Sequence, residues 1–116
     1  MERKVALFAF NGEPMCFAHV LLNALNMKEK GYDIKLVIEG SATKQVKELL
    51  DSNKPFSSAY EKVKALGIID CVCRACASAM GSLRSAEEQE LSVCGDMSGH
   101  PSISVYKDAG YDVLIF

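Results

Sequence analysis

Gly67-Ile68-Ile69-Asp70-Cys71-Val72-Cys73-Arg74-Ala75-Cys76-Ala77-Ser78-Ala79-Met80-Gly81 is the stretch that decides the fold of this chain. The β-branched run from Ile68 to Val72 gives way to small helix-favouring residues, which predicts a buried strand feeding a helix with Cys73 at the junction. Three of the five cysteines fall between positions 71 and 76. A thiol at a helix N-terminus faces unpaired backbone N–H groups and the positive end of the helix dipole, which favour thiolate over thiol. Arg74 adds a fixed positive charge beside it. Cys73 is therefore the expected exposed, acidified nucleophile, with Cys76 one helical turn further on and within its reach. Cys71, inside the strand, reads first as a small buried hydrophobe.

Working outward, the same order recurs on both sides. Lys28-Glu29-Lys30-Gly31-Tyr32-Asp33-Ile34, Lys64-Ala65-Leu66-Gly67-Ile68-Ile69 and Lys107-Asp108-Ala109-Gly110-Tyr111-Asp112-Val113 each set a charged helix end, a glycine and a strand start in sequence. Helices that feed strands through short glycine turns imply parallel strands and right-handed crossovers. Val5 to Phe10 is a continuous apolar run, as for a strand buried on both faces, and Pro14 suits the first position of the helix that follows. That helix, Met15 to Lys30, carries apolar residues over more than half of its circumference, which suggests that part of it meets another subunit. A second strand lies within Asp33 to Glu39. Ser41 suits the cap of a helix whose inner face is Val46, Leu49 and Leu50. A further helix starts at Pro55, with Phe56, Ala59, Tyr60, Val63 and Leu66 on one face. Leu91 to Cys94 reads as a fourth strand, Pro101 opens a last helix with Ile103, Tyr106 and Ala109 inward, and Asp112 to Phe116 is a fifth strand. The expected architecture is a single α/β domain over 1–116: a three-layer α/β/α sandwich with a mostly parallel sheet of about five strands.

The totals narrow the function. The 116 residues are 49% hydrophobic and 24% charged, with a net charge of −2 and a pI near 5.7, so no basic surface for nucleic acid is expected. The opening Met1 to Phe10 is too short for a secretion signal or a membrane span, which predicts a cytoplasmic protein with no membrane partner. Thiols stay reduced in the cytosol, so an odd number of cysteines reads as reactive or metal-binding groups before structural disulfides.

In an open parallel sheet, ligands bind beyond the carboxyl ends of the strands. Those ends are Asn11-Gly12-Glu13, Glu39-Gly40-Ser41, Cys73-Arg74-Ala75-Cys76 and Gly95-Asp96. No dinucleotide-binding or P-loop glycine pattern and no Gly-x-Ser-x-Gly elbow occurs, so no cofactor is expected and the cysteines carry the chemistry. The expected catalytic set is Cys73, Cys76 and Arg74. Asn11, Gly12, Glu13 and Cys71 are the expected substrate contacts.

The order of elements, the Ile68 to Cys76 centre, Gly81 and the closing Gly110-Tyr111-Asp112-Val113-Leu114-Ile115-Phe116 together resemble the DsrE/DsrF-like family, which includes sulfur-relay proteins of the TusD type. The resemblance spans essentially the whole chain. It implies a cytosolic subunit that forms homo- or hetero-oligomers. It also implies that Cys73, at the position of the relay cysteine, carries sulfur as a persulfide between donor and acceptor proteins. The Cys-x-Cys-x-x-Cys cluster departs from what relay members require.

Three other readings stand beside that one. Cys71, Cys73 and Cys76, with Cys94 or His100 as a fourth ligand, suit zinc or an iron–sulfur cluster. Cys73-x-x-Cys76 suits a dithiol redox pair, and the fold suits a non-catalytic oligomeric binding module. Cys94 reads as a buried strand thiol and His100 as a loop residue at a helix entry. Cys16 and His19 read as packed or surface residues near the edge that follows the first strand.

Overall fold

The strands alternate with helices because each apolar run is followed by a turn signal and a helical apolar stripe. In the computed structural model, which describes residues 3–116, this produces five strands, β1 (Lys4–Ala9), β2 (Asp33–Ile38), β3 (Ile69–Cys73), β4 (Val93–Cys94) and β5 (Asp112–Ile115). They form one sheet in the order β4-β3-β2-β1-β5, with every pairing parallel. The helices are α1 (Pro14–Glu29), α2 (Lys44–Glu48), α3 (Ser57–Ala65), α4 (Arg74–Ala79), α5 (Leu83–Glu88) and α6 (Ile103–Asp108). Pro14 is the first helical residue of α1, as the sequence predicts. Gly31, Gly67 and Gly110 all have positive φ, which explains why glycine recurs in the helix-to-strand turns. The expected α/β fold is the observed one.

The strand order dictates how the helices divide between the two faces. From β1 to β4 the chain advances in one direction, so right-handed crossovers place α1 to α5 on a single face. The main core lies there, where Phe17, Leu21, Val46, Tyr60, Val63, Ala77 and Ala86 pack on Leu7, Leu36, Ile38 and Val72. The step from β4 to β5 runs back across the sheet, so α6 alone covers the other face. Tyr106 and Tyr111 close a smaller core there over Ala6, Phe8, Val37 and Cys71. The second helical layer is thus one short helix.

Several expected details shift. Ser41 lies in a 3-10 turn (Gly40–Thr43) ahead of α2 instead of capping it. Leu50, Leu66 and Ile103 are exposed, as is Ala109. The short helices α2 and α6 complete less than two turns, too few to form the longer inward stripe that the spacing suggests. Among the described residues no helix is long and apolar enough to cross a membrane.

Candidate functional site

β3 places the central cysteines, and an irregularity in its pairing determines their aim. Leu36 opposes Ile69 while Val37 opposes Cys71, so Asp70 is an extra residue in the ladder. Such bulges re-aim the side chains around them. Asp70 here pairs with Lys35 at 3.5 Å and accepts a hydrogen bond from the Tyr106 hydroxyl. Beyond the bulge Cys71 faces the α6 side and Val72 the main core.

Cys71 and Cys94 are joined in a disulfide with their Cα atoms 5.9 Å apart. This corrects the expectation of reduced thiols throughout: the Cys71 sulfur is held in a bond to Cys94. Adjacent strands hold the two Cα atoms within the range a disulfide spans. The register partner of Cys94 is Cys73, yet Cys94 bonds the cysteine two residues earlier, and Cys73 stays free.

Cys73 ends β3 and is the N-cap of α4, where its Sγ accepts the Cys76 N–H at 3.5 Å. The expected junction geometry is therefore present, but the expected exposure is not: Cys73 is fully buried. Burial pushes its thiol up to about 12; the Cys76 N–H pulls it down, and the neighbouring Cys76 and Glu39 push it further up. The acidified thiol is thus corrected. α4 is only six residues long, Arg74 is exposed, and neither offsets the loss of water around the sulfur.

His100 approaches Cys73 from the loop that follows β4. Its Nδ1 lies 3.1 Å from Cys73 Sγ and 3.6 Å from Cys76 Sγ. The Gly99 carbonyl accepts from Cys73 Sγ at 3.6 Å and from the Ala75 N–H at 2.9 Å, which seats the loop on the start of α4. Glu39, just past β2, completes the group. One donor atom from each of Glu39, Cys73, Cys76 and His100 lies within 4.8 Å of the others. Glu39 is 5% exposed, and burial raises its carboxyl while His100 draws it down. Two sulfurs, an imidazole nitrogen and a carboxylate oxygen converge from three separated segments.

The residues after β1 have other duties. Asn11 accepts the Glu13 N–H through its side chain, and Glu13 caps α1 by accepting the Cys16 N–H. Gly12 donates its N–H to Ser41 Oγ and accepts from Gln45 Nε2. Its backbone runs so close to Ser41 that a Cβ would sit 2.3 Å from the Ser41 carbonyl oxygen. Asn11, Gly12 and Glu13 therefore build the turn, and none belongs to the cysteine cluster. Cys16 and His19 line a separate shallow cavity of about 270 Å³ with Asn11, Asn23 and Phe116.

Sequence reasoning placed Glu39 on the correct edge without giving it a role, and read His100 first as a loop residue and only in the metal-binding alternative as a fourth ligand. The available signal for Glu39 was an acidic residue ending the apolar run Ile34 to Ile38. For His100 it was a histidine between Gly99 and Pro101 in the loop after the fourth strand.

Comparison with known proteins finds an uncharacterized protein of Methanocaldococcus jannaschii, MJ0733, 40% identical over 96 residues that cover 83% of this chain and 76% of that protein. Two uncharacterized proteins of Archaeoglobus fulgidus match shorter stretches. One is 46% identical over 43 residues, 37% of this chain and 70% of the relative. The other is 57% identical over 37 residues, 32% of this chain and all of the relative. No family model and no solved structure matches the chain. On the strength of identity sustained over three quarters of that relative's length, the chain belongs to the family of the Methanocaldococcus jannaschii protein MJ0733.

Proposed function

We propose that this protein binds a divalent transition-metal ion, zinc foremost, through Glu39, Cys73, Cys76 and His100. The observation that carries the reading is the convergence of their four donor atoms within 4.8 Å. Zinc–ligand bonds of ~2.0–2.3 Å in a tetrahedron set donors roughly 3–4 Å apart, so the widest pair needs to close by about 1–2 Å. Thiolate and imidazole suit zinc, and Glu39 supplies a carboxylate held out of water. The chemistry also explains the burial. A sulfur whose ionisation is opposed by its surroundings, next to a buried carboxylate, is stabilised when a cation replaces the thiol proton. Four protein donors fill a tetrahedral shell, which fits binding or sensing of the ion better than catalysis on it.

The test is native mass spectrometry and metal analysis of chain purified without oxygen and titrated with zinc. One ion per chain, lost in Cys73→Ser, is expected; a chain that stays metal-free at stoichiometric zinc overturns the reading.

A second reading follows from the DsrE/DsrF-like resemblance and is supported by the 3.1 Å contact between Cys73 Sγ and His100 Nδ1. His100 takes the thiol proton, and Cys73 attacks the outer sulfur of a donor persulfide. The donor leaves as its thiolate, and Cys73 holds the sulfur for an acceptor protein. Incubation with a persulfide donor then adds the mass of one sulfur atom, absent in Cys73→Ser. Burial of Cys73 counts against this reading, which makes zinc the first. The cytoplasmic, self-associating subunit that the resemblance implies belongs to the same proposal. Exposed Met15 and Leu22 on α1 support self-association, and sedimentation of the purified chain measures it.

A further inference from the structure

We propose that the Cys71–Cys94 disulfide is a redox latch on the metal site, opened by a neutral or cationic dithiol, and that its opening weakens metal binding. The inference rests on the metal-binding reading of Glu39, Cys73, Cys76 and His100.

The latch acts through the chain that follows it. β4 is only two residues long and lies at the sheet edge, held by its pairing to Val72 and Cys73 and by the disulfide. The loop leaving Cys94 supplies both the Gly99 carbonyl and the His100 ring to Cys73. Ser98 and Gly99 both have positive φ, and the Gly99 N–H donates to the Gly95 carbonyl at 3.1 Å, so the loop holds a specific shape. Without the covalent tie, the root of this loop hangs on a two-residue edge strand. Ordering His100 then costs conformational entropy at the moment the metal binds.

The disulfide is also reachable. A cavity of about 210 Å³ opens against it, lined by Cys71, Cys94, Asp70, Asp96, Pro101 and Tyr106 among others. Cys94 is partly exposed and Cys71 is buried, so attack falls on Cys94 Sγ. One thiolate of the dithiol bonds Cys94 Sγ, the Cys71–Cys94 bond breaks, and its electron pair goes to Cys71 Sγ, 3.6 Å from the Tyr106 hydroxyl. The second thiol of the reductant attacks the mixed disulfide and releases Cys94. Two electrons and two protons pass to the protein, and the reductant leaves as its own disulfide. The Tyr106 hydroxyl donates its proton to Asp70, so the departing Cys71 sulfur takes its proton from water and the Tyr106 oxygen is placed to accept the resulting S–H. The Asp96 carboxylate at the cavity, beside an Asp70 already paired with Lys35, disfavours an anionic reductant.

The test measures zinc affinity by competition with a chromogenic chelator for three forms of the chain. These are the disulfide-intact wild type, the wild type reduced by a phosphine that is then removed under nitrogen, and Cys71→Ser/Cys94→Ser. Each is expected to bind one zinc, with the second and third forms weaker by about tenfold or more. Equal affinities in forms that keep their circular dichroism overturn the latch and leave the metal site standing. No zinc bound by the disulfide-intact form overturns both. Should the double variant fail to fold, the reduced wild type supplies the comparison on an unchanged sequence. Mass counting of alkylated thiols after dithiothreitol treatment checks the opening step, which a resistant disulfide in the folded chain would refute.

Discussion

The carboxyl ends of β1 and β3 carry polar residues in similar number and lie on the same edge of the sheet, yet they do different work. After β1, Asn11 and Glu13 spend their side chains on nearby N–H groups, and Gly12 is locked between Ser41 and Gln45. After β3, Cys73 and Cys76 meet two residues from other parts of the chain, Glu39 and His100. The difference teaches that position on the edge is insufficient. A side chain becomes available for chemistry when local capping does not already occupy it, and when burial makes a ligand its best partner.

Substitutions can break this comparison at either end. Cys73→Ser has the largest expected effect on the β3 side, a loss of zinc affinity of at least about 100-fold, beyond the ~10–100-fold typical of outer-shell partners. Competition titration measures it. On the β1 side the largest effect is on stability: Gly12→Ala drives a methyl into the Ser41 carbonyl. A destabilisation of about 3 kcal/mol, the top of the overpacking range, is expected in urea unfolding. A wild-type midpoint would show that the turn yields.

Glu39→Gln sharpens the contrast. Burial raises the Glu39 carboxyl, so the stability it contributes is present below its ordinary range and lost as pH rises through the folded value. The amide removes that loss, and thermal melts of the metal-free variant at pH 7 are expected at higher temperature than wild type, while zinc affinity falls by about tenfold. A protein whose buried acid has no ligand role would show the first effect without the second. The raised thiol of Cys73 has its own sign: zinc must displace its proton at pH 7. Calorimetry in buffers of differing ionisation heat is expected to show at least one proton released per zinc, with affinity rising about tenfold per pH unit per proton between pH 6 and 9. Binding without proton release would exclude Cys73 as a ligand. The smallest expected effect is that of Cys16→Ser, which leaves zinc affinity unchanged and shifts stability by less than about 0.5 kcal/mol.

The fold was largely legible in the sequence because its signals are local. Gly31, Gly67 and Gly110 mark the turns by a backbone requirement, and the run Val5 to Ala9 declares a buried strand without reference to any other segment. The site was half legible for the same reason. Cys73 and Cys76 are near each other in sequence and Cys73 sits at the N-cap, as read, whereas Glu39 and His100 join them only through strand order and loop shape. The Asp70 bulge and the pairing of Cys94 with Cys71 instead of its register partner depend on tertiary packing, and so does the burial that reversed the expected acidity of Cys73.

The pairing of β1 with β5 has a consequence for how the protein is made. Val5 to Phe8 meet Asp112 to Ile115, so the first strand of the sheet waits for the last to leave the ribosome before its outer edge is paired. Parallel strands so distant in sequence raise the contact order and slow folding. During that interval Leu7 and Phe8 sit on an open edge, the arrangement most prone to pairing with another chain. Chain segments ending before residue 112 are therefore expected to collapse onto α1 and β2 and to remain vulnerable to aggregation until β5 closes the sheet.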